Sequence, residues 1–216
     1  QISNQEVKTS HSSKLVDNNS NTKKYILDTN ATLLIQDNSY NDIVAISILA
    51  KGGNFYEQKR GTSKLFADLL LKGTKRYSTI ELAKELEENG IEMSFAAHPD
   101  TFNINILTTK KQLSTTLALL DEILNNSTFD DSEIEKSKTL ILNNIKQSKD
   151  KALNVALDEY RANIYGTSVY NSSLSSIEKC IPSITKKDII DYQSKILNPN
   201  NIVISVNGNV DKELNT

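Results

Sequence analysis

The chain has 216 residues, 38% of them apolar and 24% charged, with a net charge of −2. That is length enough for one large domain or two small ones and apolar content enough for a core, and near-neutrality gives no electrostatic reason to expect nucleic acid or an acidic membrane surface as a partner. A single cysteine, Cys180, excludes an internal disulfide framework and a Cys-rich metal centre, and two histidines, His11 and His98, are too few for the usual His-based zinc site. No apolar run approaches the roughly 20 residues that span a membrane. No charged-then-apolar leader follows Gln1, so a soluble chain without a visible targeting segment is expected, and its compartment is left unassigned.

Residues 1–23 are rich in Ser and Asn and show no apolar period, so they read as a polar linker or tail, with His11 as a solvated linker residue. Tyr25–Asp28 and Ala31–Ile35 flank Thr29-Asn30 and read as a strand pair around a tight turn. Asp42–Lys51 (DIVAISILAK) is a longer strand, apolar on both faces and therefore expected in the middle of a sheet. Gly61–Leu71 reads as a short helix. Ser78 with Glu81 three residues on forms a capping box for the next helix, which Gly90 ends. Glu85, Glu87 and Glu88 on that helix read as a solvated face.

Ile91–Ala97 and Thr101–Thr108 alternate as two strands joined by His98-Pro99-Asp100, which makes His98 a turn residue. Lys111–Asn125 is a helix with a leucine stripe. A long helix then runs from Asp130 or Asp131, as its cap, to about Ile164. Its expected buried stripe is Ile134, Ile141, Ile145, Ala152, Ala156 and Tyr160. A polar loop follows Gly166. A short helix holds Ile177 and Cys180, and another starts at Thr185 with Asp188 three residues on. Cys180 has no histidine to activate it and reads as a small, partly buried hydrophobe. Ile202–Val206 is a last strand. Strands and helices come in runs rather than in strict alternation. The fold class is therefore α+β, with a mostly antiparallel sheet of about five to six strands backed by helices.

Several local strings, in this order and at this spacing, resemble the insulinase/pitrilysin peptidases, the inverzincins, which include the mitochondrial processing peptidases. They are Asn30–Ile35, Gly53–Glu57, Gly61–Thr74 with its closing Lys72-Gly73-Thr74, and NPNNIVISVNGNV at 198–210. The resemblance covers residues 24–211 and implies one insulinase-like α+β domain there, with 212–216 opening a linker to a following domain. Active members carry H-x-x-E-H on one helix. Two imidazoles one turn apart bind zinc and the Glu activates its water. Aligned on Gly61 and Lys72-Gly73-Thr74, those positions here hold Lys64, Ala67 and Asp68. The string EKSKTLILNNI at 135–145 resembles the family's long-helix motif. It puts Asn144 at the third-ligand position and Ser137 at a second family glutamate.

The resemblance therefore implies a vacated site, with no catalytic residue, no cofactor and no metal in this domain. Lys64 has no lone pair to give at neutral pH, Ala67 cannot take a proton, and the oxygens of Asp68 and Asn144 beside an ammonium make a poor zinc site. Lys64 and Asp68, one turn apart, are expected to pair in place of the metal, worth a few tenths of a kcal/mol if exposed. In this family two halves close around a chamber, and one half often lacks zinc. The resemblance thus implies a non-catalytic domain that walls the chamber and helps bind peptide. The zinc is then expected in an active partner half, on the same chain or as a separate subunit. Any Arg and Tyr that an inactive half supplies would lie beyond Thr216. Two other readings stand beside it: a structural or assembly subunit with no part in proteolysis, and a domain with its own chemistry or a standalone peptide-binding module.

Overall fold

The computed structural model describes residues 13–19 and 22–210; His11 lies outside them. Seven strands form one sheet: β1 Ser13–Asn19, β2 Thr22–Leu27, β3 Thr32–Asp37, β4 Ile43–Lys51, β5 Glu92–Ala97, β6 Thr101–Thr109 and β7 Ile202–Gly208. Their order is β1-β2-β3-β7-β4-β6-β5. Only the β3–β7 pairing is parallel. Seven helices are described: α1 Thr62–Leu69, α2 Thr79–Glu88, α3 Leu113–Asn126, α4 Asp131–Lys149, α5 Ala152–Tyr165, α6 Leu174–Cys180 and α7 Lys186–Ile196. The α+β class holds, with more strands than the five or six expected. The added strand, β1, occupies part of the stretch read as a linker. It pairs with β2 at the sheet edge, and its side chains from Ser13 to Asp17 are exposed. A strand with water on both faces needs no apolar alternation, so its composition looks like linker.

Local chemistry sets the elements. The β2–β3 turn closes on Asn30, whose φ of 65° lies in the left-handed region that asparagine tolerates. The expected capping boxes are both formed, Ser78 with Glu81 on α2 and Thr185 with Asp188 on α7. β4 is central, between β7 and β6, as its composition suggested. Only one of its faces is covered, however. Val44, Ile46, Ile48 and Ala50 are buried, while Ile43, Ala45, Ser47 and Leu49 are exposed.

The covered face meets α1, α3, α4 and α7 in one core. Phe66 is its centre, fully buried, with ring centroids of Phe102, Tyr192 and Phe129 at 5.3, 5.4 and 6.0 Å. Fully burying such a ring stabilises by about 3 kcal/mol.

The long helix expected from 131 to 164 is two helices. Lys151 adopts extended geometry and separates α4 from α5. Asp130 stands at the N-cap of α4 without making a side-chain capping bond. Ile134, Ile141 and Ile145 are buried as expected, but Ala152, Ala156 and Tyr160 are exposed. Helix α5 is turned inside out. Its one buried residue is Asp158, while Leu153, Leu157, Tyr160 and Ile164 form an outward stripe, 70%, 41%, 61% and 56% exposed. Hydrogen bonds hold the inner side in place of apolar packing. The Asp158 carboxylate accepts from Leu174 N, Ser175 N and Ser175 Oγ at the start of α6, and Asn154 Nδ2 donates to Ser148.

Candidate functional site

Helix α1 divides its residues between two faces. Leu65, Phe66, Leu69 and Leu70 are buried in the core. Lys64 is exposed and Ala67 and Asp68 are half-buried. The helix begins at Gly61, whose φ is 92°. A Cβ there would meet Ile177 Cγ2 and Ile181 Cδ1 at 2.9 Å, so glycine serves both the turn and the close approach of α6.

Gly61 offers no side chain to cap α1, and Glu57 does so from outside. Its carboxylate accepts from Gly61 N at 3.2 Å and from Ser63 N at 2.8 Å, and Ser63 Oγ donates to it as well. Ser63 Oγ also lies 2.8 Å from Asn54 Oδ1. Burial pushes the Glu57 carboxyl above its usual range, against the opposing pull of these hydrogen bonds and of Arg60. Burial and the Glu57 charge likewise push up the phenol of Tyr192, which donates to Gly53 O at 3.1 Å. Arg60 fixes the loop beyond α5, donating to the carbonyls of Thr167, Ser168 and Val169 at 3.4, 2.7 and 3.1 Å.

A cavity of about 440 Å³ opens beside this helix. One wall is Glu57, Arg60, Ser63, Lys64 and Ala67; the other is Phe95 to Pro99 of β5 and its turn, with Leu174 and Ile177 of α6 closing an end. His98 does sit in the expected turn, and the fold carries that turn to the same cavity as Lys64. Nothing local in the sequence marks this meeting, because 33 residues and two elements separate them. Glu57 and Ser63 lie in strings singled out from the sequence, but nothing there marked their capping roles.

The positions expected to be vacated do not behave alike. Lys64 and Ala67 line the cavity, while Asp68 does not. The expected Lys64–Asp68 ion pair is not formed among the described residues. Asp68 Oδ2 is buried without a hydrogen-bond partner. Bringing an ammonium to a buried oxygen costs its hydration, and Lys64 stays in the solvated cavity instead. Helices α1 and α4 pack together. On α4, Asn144 is exposed, whereas Ser137 is 3% exposed and belongs to the helix's buried side.

The donor set does not fit zinc. Lys64 and Ala67 offer no ligand, and among the described residues no group of three or more His, Cys, Asp or Glu is placed to hold a metal ion. No described helix is long and apolar enough to cross a membrane.

Residues 32–176 match the family described as Insulinase (Peptidase family M16). An uncharacterized zinc protease of Rickettsia felis is 28% identical over 186 residues, which cover 84% of this chain and 45% of that protein. The mitochondrial-processing peptidase subunit beta of Rattus norvegicus is 24% identical over 183 residues, 84% of this chain and 37% of its own length. Among solved structures, a peptidase M16 inactive domain from Pseudomonas fluorescens superposes with a TM-score of 0.82 at 19% identity, over 88% of this chain and 47% of that one. The chain thus spans less than half the length of these relatives.

Proposed function

Because the chain belongs to the insulinase peptidase family, we propose that it is a non-catalytic domain of a zinc endopeptidase, which walls the chamber and holds peptide while another half carries the zinc. The vacated positions are assigned to Lys64, Ala67, Asp68, Asn144 and Ser137. The observation that carries the reading is helix α1 itself. It keeps its glycine entrance, its Glu57 cap and its core face, yet presents a lysine and an alanine to the cavity. Peptide binding is supported by β5, an edge strand that pairs only with β6 and lines the same cavity. Its outer edge offers main-chain donors and acceptors to an extended segment, as in strand addition. Positioning of this kind contributes to catalysis without chemistry of its own.

The test is direct. After dialysis against excess zinc, the 216-residue chain is expected to retain none and to cleave no peptide, while short extended peptides bind it. Stoichiometric zinc or intrinsic cleavage overturns the reading.

A second reading, an assembly subunit without a part in proteolysis, is favoured by α5. Its outward apolar stripe suits burial against the further half that relatives of about twice this length possess. With the active half identified, Leu153→Glu with Tyr160→Glu tests the part of α5. Loss of association with peptide binding to the single chain intact places α5 at the interface between halves.

A further inference from the structure

We infer that the cavity between α1 and β5 binds the carboxylate of a peptide, with the Lys64 ammonium as its counter-charge. This deepens the proposed peptide-binding role and rests on it.

The inference follows from a charge inventory of the cavity wall. Two permanent cations line it, Arg60 and Lys64. The Arg60 guanidinium is spent on the carbonyls of residues 167–169. Lys64 has no ion-pair partner among the described residues. The one acidic residue in the wall is Glu57. Its oxygens already accept from Gly61 N, Ser63 N and Ser63 Oγ, and burial favours its neutral form. The cavity therefore carries one uncommitted positive charge and no uncommitted negative one.

The surroundings strengthen that charge. Phe95, Ala97, Leu174 and Ile177 are half-buried apolar walls, which lower the local dielectric and raise the value of a charge-assisted hydrogen bond. His98 is exposed and lines the same cavity. The outer edge of β5 is the rail on which an extended peptide brings its carboxylate to Lys64. The position that holds a zinc-binding imidazole in active relatives would here hold a point cation that selects acidic peptide.

Anisotropy titrations of labelled extended peptides test this on the 216-residue chain. Four peptides differ only in a central Glu or Gln and in a free or amidated C-terminus. The Glu peptides, the free-terminus peptides, or both are expected to bind about tenfold tighter than their neutral counterparts, and which of them do identifies the carboxylate's source. Lys64→Met is expected to abolish that preference, while Lys64→Arg retains it. Lys64 is exposed, so these variants leave the core untouched. Binding without discrimination, or discrimination that survives Lys64→Met, overturns the assignment of Lys64 alone. Failure of every peptide to bind overturns the peptide-holding role as well.

Discussion

Replacing Asp188 by Asn removes the charge that pins the entrance of α1 to α7. Lys59, two residues ahead of Gly61, places Nζ 2.7 Å from Asp188 Oδ2 and 2.6 Å from Ser183 O. The same carboxylate oxygen accepts from Thr185 N and Thr185 Oγ1 at 2.7 and 2.6 Å. Burial opposes ionisation, but Lys59 and the Thr185 donors outweigh it and hold the carboxyl at about 2, against an ordinary 3.8. At 1.36 kcal/mol per unit that difference is worth about 2 kcal/mol. The Lys59 side chain is 34% exposed, so solvent screening brings the expected contribution to roughly 1 kcal/mol. The sign follows from the depressed value. The contribution is complete above the unfolded carboxylate's range, near pH 4, and is lost as pH falls from there toward 2. Urea midpoints of the chain and of Asp188→Asn, followed by circular dichroism, should differ by about 1 kcal/mol at neutral pH and converge below about pH 4. A gap that stays constant across that window, or a Lys59→Met variant as stable as the parent, refutes the reasoning.

Phe66→Ala empties the centre of the aromatic cluster and should cost about 3–5 kcal/mol, read as a large fall in thermal midpoint. Glu57→Gln should lose about 1 kcal/mol of α1 capping in acid. Because burial raises the Glu57 carboxyl, the parent's advantage over the variant is fullest below the unfolded range and shrinks as pH rises through the folded one, which paired melts over pH will show. Asp158→Ala strands the donors of Leu174 and Ser175, at a cost of about 1–3 kcal/mol, and should speed amide exchange at those two residues before global unfolding.

What the sequence made legible was whatever local chemistry decides. Ser78 with Glu81 and Thr185 with Asp188 satisfy helix donors within four residues, so their capping boxes are written in the spacing. The alternation of β6 and the turn at Asn30 are of the same kind. Helix α5 was misjudged because periodicity reveals an apolar face but not which way it points. The decision lies with Asp158, whose partners Leu174 and Ser175 are 16 and 17 residues away. The insertion of β7 beside β3 in parallel is likewise a non-local fact. At the site, the sequence supports only the expectation that Lys64, Ala67 and Asp68 stand where H-x-x-E-H would. The cavity was not legible, because it exists only once the turn holding His98 and the start of α6 are brought against α1.

The two faces of α1 would let a zinc site be vacated, as proposed, without loss of the fold. The core face, Leu65, Phe66, Leu69 and Leu70, carries the burial energy. Of the positions assigned to ligands on this helix, Lys64 is exposed, so its replacement leaves the packing intact, and Asp68 is half-buried beside the core face. Even the Glu57 cap is independent of the metal, because it acts on backbone N–H groups of Gly61 and Ser63. If that separation holds, the reverse change is tolerated too. The combined variant Lys64→His, Ala67→Glu, Asp68→His and Asn144→Glu should fold as the parent does and bind one zinc ion, measured by metal analysis after dialysis. Two imidazoles one helical turn apart with a carboxylate from α4 supply three ligands of the usual catalytic type. Asn144 is the critical member, since it is exposed on α4 and free to be exchanged. Zinc bound equally well without the Asn144→Glu change would move the third ligand elsewhere. A folded variant that binds no zinc at all would show that the register joining α1 to α4 is wrong.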